Sequence, residues 1–212
     1  MSEARAKRWV RLGLRWIPET PFRVGAGGPE TLRDATGRPF VPGSALKGRV
    51  KHAARALYLR RHGRLCPGQA FAAGLAGAAP SEGCGCDLCL LFGAPGGPPA
   101  ALAFSDLLPE GAVEAWFRWG AAVDRSRRSV VAARLFAREG AMAAALVGAV
   151  EGWLPMPEDG VDERVGLLWA ALRLVRLGGG GGRGWGWGRM EVDAGELFPT
   201  GSPPEAWVAP WI

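Results

Sequence analysis

The 212-residue sequence contains no apolar stretch long enough to cross a bilayer as a helix. Its longest apolar run, Gly140 to Val150, is closed by Glu139 and Glu151 and falls well short of the ~20 residues a spanning helix needs. The opening segment MSEARAKRWV has no apolar signal core, so a cytoplasmic protein with no membrane partner is expected. Lysine is almost missing. Only Lys7, Lys47 and Lys51 occur, so a net charge of +6 is carried nearly all by arginine. A basic balance fits an acidic partner, nucleic acid first, and arginine forks suit phosphate. GC-rich coding gives the same bias with no functional meaning. No internal repeat is visible. No glycine-rich segment is followed by Gly-Lys-Ser/Thr, which excludes a mononucleotide P-loop.

A hydrophobic share of 48% allows a real core and excludes wholesale disorder. With 33 glycines and 17 prolines the chain is rich in turns, which argues against a simple helical bundle. The length fits one domain over 1–212 carrying insertions. Residues 8–16, RWVRLGLRW, alternate as a half-buried strand. Residues 18–43 form a Pro/Gly-rich loop too long to be a mere connector. A helix is expected from Ser44, with Ser44 as N-cap and Leu46, Val50, Ala53, Ala54 and Leu57 on its apolar stripe. A strand is expected over 101–108, and a hairpin around the RSRRS turn followed by a further strand over 113–150. A second helix should be capped by Asp162 and stop before Gly178, and WGWGRMEV should close the sheet. This order predicts an α+β fold with helices on one face of an antiparallel sheet.

The chemistry lies in three places. Cys66, Cys84, Cys86 and Cys89 form a CxCxxC with one cysteine upstream. In a reducing compartment this suits a structural zinc site, with His62 as an alternative fourth ligand and four ordinary buried cysteines as the bland alternative. Zinc would staple an insertion over 63–100. PFVPGSALKGRVKHAAR places Ser44 and Lys47 in a first helical turn, with Lys51 and Arg55 continuing one basic stripe. The stripe fits successive phosphates, or is a solvated helix face. The run GGGGGRGWGWG allows close backbone approach to a ligand, and Trp185 and Trp187 suit base stacking or packing under a helix.

PFVPGSALKG, CxxCxLFG from Cys86 to Gly93, AVDRSRRSVVAARLFAREG and GGGGRGWGWGRMEV occur in the order seen in the RAMP superfamily, and resemble most the Csm/Cmr-type backbone subunits of type III CRISPR interference complexes. The resemblance implies a ferredoxin-like, RRM-related core. It implies copies of this or homologous RAMP subunits, with other effector subunits, stacked in a helical filament on a guide crRNA that pairs with target RNA in antiviral defence. It selects Ser44, Lys47, Gly180, Gly181, Gly182 and Arg183 as guide contacts. The family's "IDR-x-TG" thumb hairpin corresponds to Val123-Asp124-Arg125 onward, within 121–136, with Ser126-Arg127-Arg128 where Thr-Gly is usual. Slicing members carry an aspartate in the loop before PGSxLKG and use divalent metal such as Mg²⁺. Here that position falls near Gly28, in GAGGPETLRD, and Glu30 is the nearest carboxylate and the candidate catalytic residue. Asp34 of the Arg33-Asp34 pair reads as structural. Two rivals are a metal-independent repeat-processing endoribonuclease, using His52 with Tyr58 as the lone tyrosine, and a zinc-stabilised protein-interaction domain with no RNA role.

Overall fold

A computed structural model describes residues 7–25, 28–75, 84–97, 99–124, 126–155, 162–177, 185–195, 197–198, 200 and 202–212, the side chains of 132 and 133 excepted. The element order is β1 (Lys7–Pro18), α1 (Gly43–His62), α2 (Pro67–Ala72), α3 (Asp87–Phe92), β2 (Leu102–Phe104), β3 (Leu108–Asp124), β4 (Ser129–Pro155), α4 (Glu163–Leu174), β5 (Gly188–Asp193) and α5 (Glu205–Val208), followed by a 3-10 turn over Ala209–Trp211. The fold is α+β. The sheet runs β2-β4-β1-β5, and β3 also pairs with β4. Every neighbouring pair is antiparallel.

The period of two in β1 sets the layers. Val10, Leu12, Leu14 and Trp16 are fully buried on one face, while Arg11 and Arg15 point to the other. Against the buried face lie α1, through Leu46, Val50, Ala54 and Leu57, and α4, whose Val165–Leu172 stretch is buried throughout. The open face carries exposed cross-strand ion pairs, Arg15 with Glu110 at 3.1 Å and Glu191 at 3.3 Å, and Arg11 with Glu151 at 3.6 Å.

Several expected boundaries shift. The strand expected over 101–108 shrinks to Leu102–Phe104, and the closing strand starts at Gly188. The hairpin is present, but its second strand and the strand expected to follow it are one continuous β4 of 27 residues. Only Trp16 to Lys7 pair with Leu146–Pro155 of that strand, so the N-terminal half of β4 has β3 as its main neighbour. Asp162 does not cap α4 with its side chain. Its Oδ1 accepts from Arg164 Nε at 2.8 Å, an ion pair in a nearly buried position.

Two features had no signal in the sequence reading. The segment expected to be a loose insertion lends Leu88, Leu91 and Phe92 of α3 to the main core. The C-terminal segment folds back over the helices. Trp207 and Trp211 are buried, the Trp211 indole donates to the Glu163 carbonyl at 2.8 Å, and the Arg61 guanidinium lies 4.4 Å from the Trp211 ring centroid. Gly166 permits this contact, since a Cβ there would overlap the Trp207 carbonyl. Gly166→Ala is therefore expected to push the tail off α4 and lower stability by ~1–3 kcal/mol. A thermal melt identical to the unsubstituted chain would show that the tail contributes nothing.

Candidate metal centre and nucleic-acid interface

The short helices α2 and α3 each begin directly after a cysteine, Cys66 and Cys86, both in extended backbone. This turns the two chain segments toward one point. The Sγ atoms of Cys66, Cys84, Cys86 and Cys89 all lie within 4.8 Å of one another. Cys66 is 3.4 Å from Cys89 and 3.5 Å from Cys86, and the Cys86 N–H donates to Cys84 Sγ at 3.4 Å. Sulfurs on a tetrahedron around zinc, each about 2.3 Å from the metal, sit roughly 3.8 Å apart. Burial pushes the Cys86 and Cys89 thiols up. At Cys66 burial acts the same way, but hydrogen bonds from the Gln69 backbone and the neighbouring thiols outweigh it and hold the thiol low. Four thiolates so crowded need a cation, and the cluster could hold a metal ion such as zinc. His62 is not among the clustered groups. Its ring lies tilted against Tyr58, with centroids 4.2 Å apart, and 5.9 Å from the Trp211 ring. Burial pushes the Tyr58 hydroxyl up to about 12, which leaves it a poor base.

A buried amide ties this centre to α1. Gln69 Nε2 donates to Cys89 Sγ at 3.4 Å and to the Gly93 carbonyl at 3.0 Å, while its Oε1 accepts from Arg55 Nε at 3.1 Å. Lys51 Nζ donates to the same Gly93 carbonyl at 2.9 Å. The expected solvent-facing stripe therefore needs correcting. Lys51 and Arg55 are half-buried and bonded to the cysteine module, and only Lys47 of the three makes no hydrogen bond or ion pair among the described residues. Burial lowers the pKa of all three, with mutual repulsion adding to it at Lys51. Gln69 lay outside the sequence reading because no spacing rule singles out one glutamine.

The start of α1 also differs. The helix opens at Gly43 with Pro42 as N-cap, and exposed Ser44 caps nothing. The Gly43 N–H donates to Asp106 Oδ1 at 2.7 Å. An aspartate from the β2–β3 connection thus takes one of the positions an anion would fill at a helix N-terminus. Gly43 is required there, since a Cβ would overlap the Phe104 carbonyl.

The described residues of the loop 18–43 are held by three anchors. Phe22 exchanges both backbone hydrogen bonds with Ala141 at 2.8 Å, and Val41 does so with Leu107 at 3.1 and 2.8 Å. Between them, buried Glu139 accepts from the Thr31 N–H at 3.0 Å and from the Arg33 guanidinium, while its own N–H donates to Pro29 at 2.8 Å. Asp34 accepts from the Thr36 hydroxyl at 2.6 Å and from the Arg38 and Thr36 N–H groups, both at 2.9 Å, which stabilises the turn and lowers its pKa. Glu30 is exposed at the tip, next to the Pro29 anchor. Of the expected contacts, Gly180, Gly181, Gly182 and Arg183 lie outside the described residues, as does Arg125. The flanks of the glycine run meet where the Leu177 N–H donates to Gly186 at 3.2 Å. Trp185 lies against the Gly140 backbone, and Arg176 sits 3.8 Å over the Trp187 ring.

The β3–β4 ribbon leaves the sheet with both faces in solvent. Trp116, Phe117, Val123, Val130 and Phe136 are exposed, and Trp119 and Leu135 are 76% and 74% accessible. Interleaved with them are Arg118, Arg134 and Arg138. Asp124 is consumed by the turn rather than free for a ligand. Its Oδ1 accepts from the Ser126 N–H at 2.9 Å, the Ser126 hydroxyl at 2.7 Å and the Arg127 N–H at 3.2 Å. Arg128, at the glycine position of IDR-x-TG, adopts the left-handed φ of 50° that glycine would supply.

The family model of the RAMP superfamily matches residues 18–191. The chain belongs to the RAMP superfamily. RAMP proteins are CRISPR-associated RNA-binding proteins that work in ribonucleoprotein complexes with other subunits. No protein of curated function matches this RAMP chain. Among the described residues no helix is long and apolar enough to cross a membrane.

The cysteine centre generates a test. The purified RAMP protein is expected to carry about one zinc per chain, set by its four thiolate ligands. Chelation should free four thiols and strip amide protection from α2 and α3 first. It should also lower the melting temperature, because α3 belongs to the main core. Thiols that react at full rate before chelation, with unchanged protection after it, would refute a metal centre.

Proposed function

We propose that this RAMP protein is a backbone subunit of a type III CRISPR effector, of the Csm/Cmr kind, holding guide crRNA and supporting target RNA recognition beside homologous subunits. The observation that carries the reading is the β3–β4 ribbon. It offers arginines interleaved with exposed aromatic rings, the pattern suited to single-stranded nucleic acid, and nothing among the described residues covers these rings. The strand order, with antiparallel β4 between β1 and β2 and α1 and α4 on one face, supports a ferredoxin-like core. Zinc is the metal that best suits the four cysteines. The guide-contact role is kept for Ser44, Lys47, Gly180 to Gly182, Arg125 and Arg183, whereas Lys51 and Arg55 act through the cysteine module.

Binding through phosphate makes affinity depend on salt and hardly on base sequence. For two unrelated single strands, plots of log affinity against log salt should be parallel. Lys47→Ala should flatten both by ~0.7 per lost contact. Lys51→Ala and Arg55→Ala should instead lower thermal stability, the first by removing one of two donors to the Gly93 carbonyl and the second, more severely, by leaving the buried Gln69 Oε1 unpaired. A flat salt plot for the unsubstituted chain would overturn RNA binding.

Catalysis of target cleavage would rest on Glu30, the exposed carboxylate on the loop that Glu139 anchors. Misplacing a metal-binding carboxylate by ~1 Å costs on the order of a hundredfold. Slow Mg²⁺-dependent cleavage, or none, is therefore expected in a complex assembled with guide and target. Glu30→Ala should remove any cutting and leave target affinity unchanged. Fast cutting that survives this substitution would place the catalytic group elsewhere.

A further inference from the structure

A groove of about 460 Å³ opens between α1, α4 and the C-terminal turn. Leu57 and Arg60 line it from one helix, Trp169, Arg173 and Leu174 from the other, and Trp211 from the turn. We propose that this groove docks an acidic amphipathic helix of a partner protein, with apolar side chains on its floor and carboxylates against its two arginines. The surface lies on the helix layer and uses none of the residues assigned to RNA, so it stands or falls apart from RNA binding.

Charge supplies the first argument. Arg60 and Arg173 come from different helices, and among the described residues no carboxylate lines the groove. Neither forms an ion pair there. Arg60 donates to the main-chain oxygen of Ile212, which leaves its charge unmet. Nearby arginines of the same helix layer are neutralised, Arg61 by Glu163 at 2.5 Å and Arg164 by Asp162 at 2.8 Å. Arg60 and Arg173 each sit in the last turn of a helix, where the helix dipole favours a cation. That accounts for the residue type and still leaves both charges open to a partner. Two like charges on one concave surface focus a positive potential that draws an anionic group.

Burial supplies the second. Leu57, Trp169 and Trp211 are almost wholly buried, so the floor is preformed, while Leu174 at the edge is 58% exposed. Phosphate would answer the arginines, but the two tryptophan rings are packed into the fold and present no open face for a base to stack on. A second copy would bring its own net charge of +6 to a positive rim. A helix with apolar residues along one ridge and carboxylates beside them answers both the floor and the rim, and laying it over the α1–α4 seam is ordinary helix-in-groove packing.

The test uses the full chain and a fluorescein-labelled helical peptide of ~18 residues, with leucine at i, i+3, i+4 and i+7 and glutamate beside them, read by anisotropy. The acidic peptide should bind saturably and more weakly as salt rises, and its lysine counterpart should not bind. Arg173→Glu should weaken the acidic peptide about tenfold and bring in the lysine counterpart. Arg173 pairs with nothing else among the described residues, so the melting temperature of this variant should stay unchanged. Arg60→Glu should act in the same direction, and Leu174→Ser should cost about fivefold through lost apolar contact. Lys7→Glu, an equal charge change at the start of β1, should leave affinity within about twofold. Failure of the acidic peptide to bind, equal binding of both peptides, or equal affinity of the Arg173→Glu and Lys7→Glu chains overturns the proposal. Competition by oligouridine as strong as by unlabelled acidic peptide would assign the groove to nucleic acid. A dimer of the unsubstituted chain that Arg173→Glu dissolves would assign it to a second copy. Either result overturns the docking of an acidic helix.

Discussion

What this chain presents to a partner depends on β4 being one strand in two environments. Its C-terminal half is clamped between β1 and β2, with apolar side chains buried under the helices. Its N-terminal half runs on with β3 as a two-stranded ribbon. Such a ribbon is at best marginal in water by itself. Here it inherits order from the clamped half, and at the junction it gains the Phe22 pairing and the Glu139 anchor. Cutting that continuity would leave the core intact and the ribbon without a base.

The arginines divide along the same line. On the open sheet face Arg11 and Arg15 are neutralised by glutamates, and among the helices Arg55, Arg61 and Arg164 hold carbonyl, amide or carboxylate groups of the fold. Composition could not separate those structural cations from the rest. Arg134 and Arg138 on the ribbon and Arg23 in the loop beside it lack carboxylate partners among the described residues, as do Arg64 after α1, Arg173 in α4 and Arg176 just beyond it.

The legible parts of the fold were those with a strong period or a strong breaker. β1 showed its layer through strict alternation, α1 and α4 through apolar stripes, and the ribbon through the turn between two strand-like runs. The four cysteines could be joined because thiolate chemistry is specific. What stayed hidden was set by contacts remote in sequence. Asp106 reaching Gly43 and Gln69 bridging Cys89 to Arg55 leave no local pattern. The basic stripe of α1 was real as spacing, but its role was decided by what packs beside it. Lys51 and Arg55 meet the cysteine module, and only Lys47 keeps its charge unengaged.

The two layers of the molecule are finished to different degrees, and this bears on how it works. On the helix side the C-terminal segment returns to cover α1 and α4, burying Trp207 and Trp211. On the ribbon, Trp119 and Leu135 remain three-quarters exposed next to further large apolar side chains. A contiguous patch of this kind on a lone chain invites association. Between Val113 and Glu139 the chain carries neither lysine nor proline, the usual devices for an unpaired strand. It places arginine between the rings instead, and Arg138 lies over the Phe136 ring. A surface of exposed rings and arginines suits contact with a partner, in keeping with a superfamily whose members work in ribonucleoprotein complexes with RNA and other subunits.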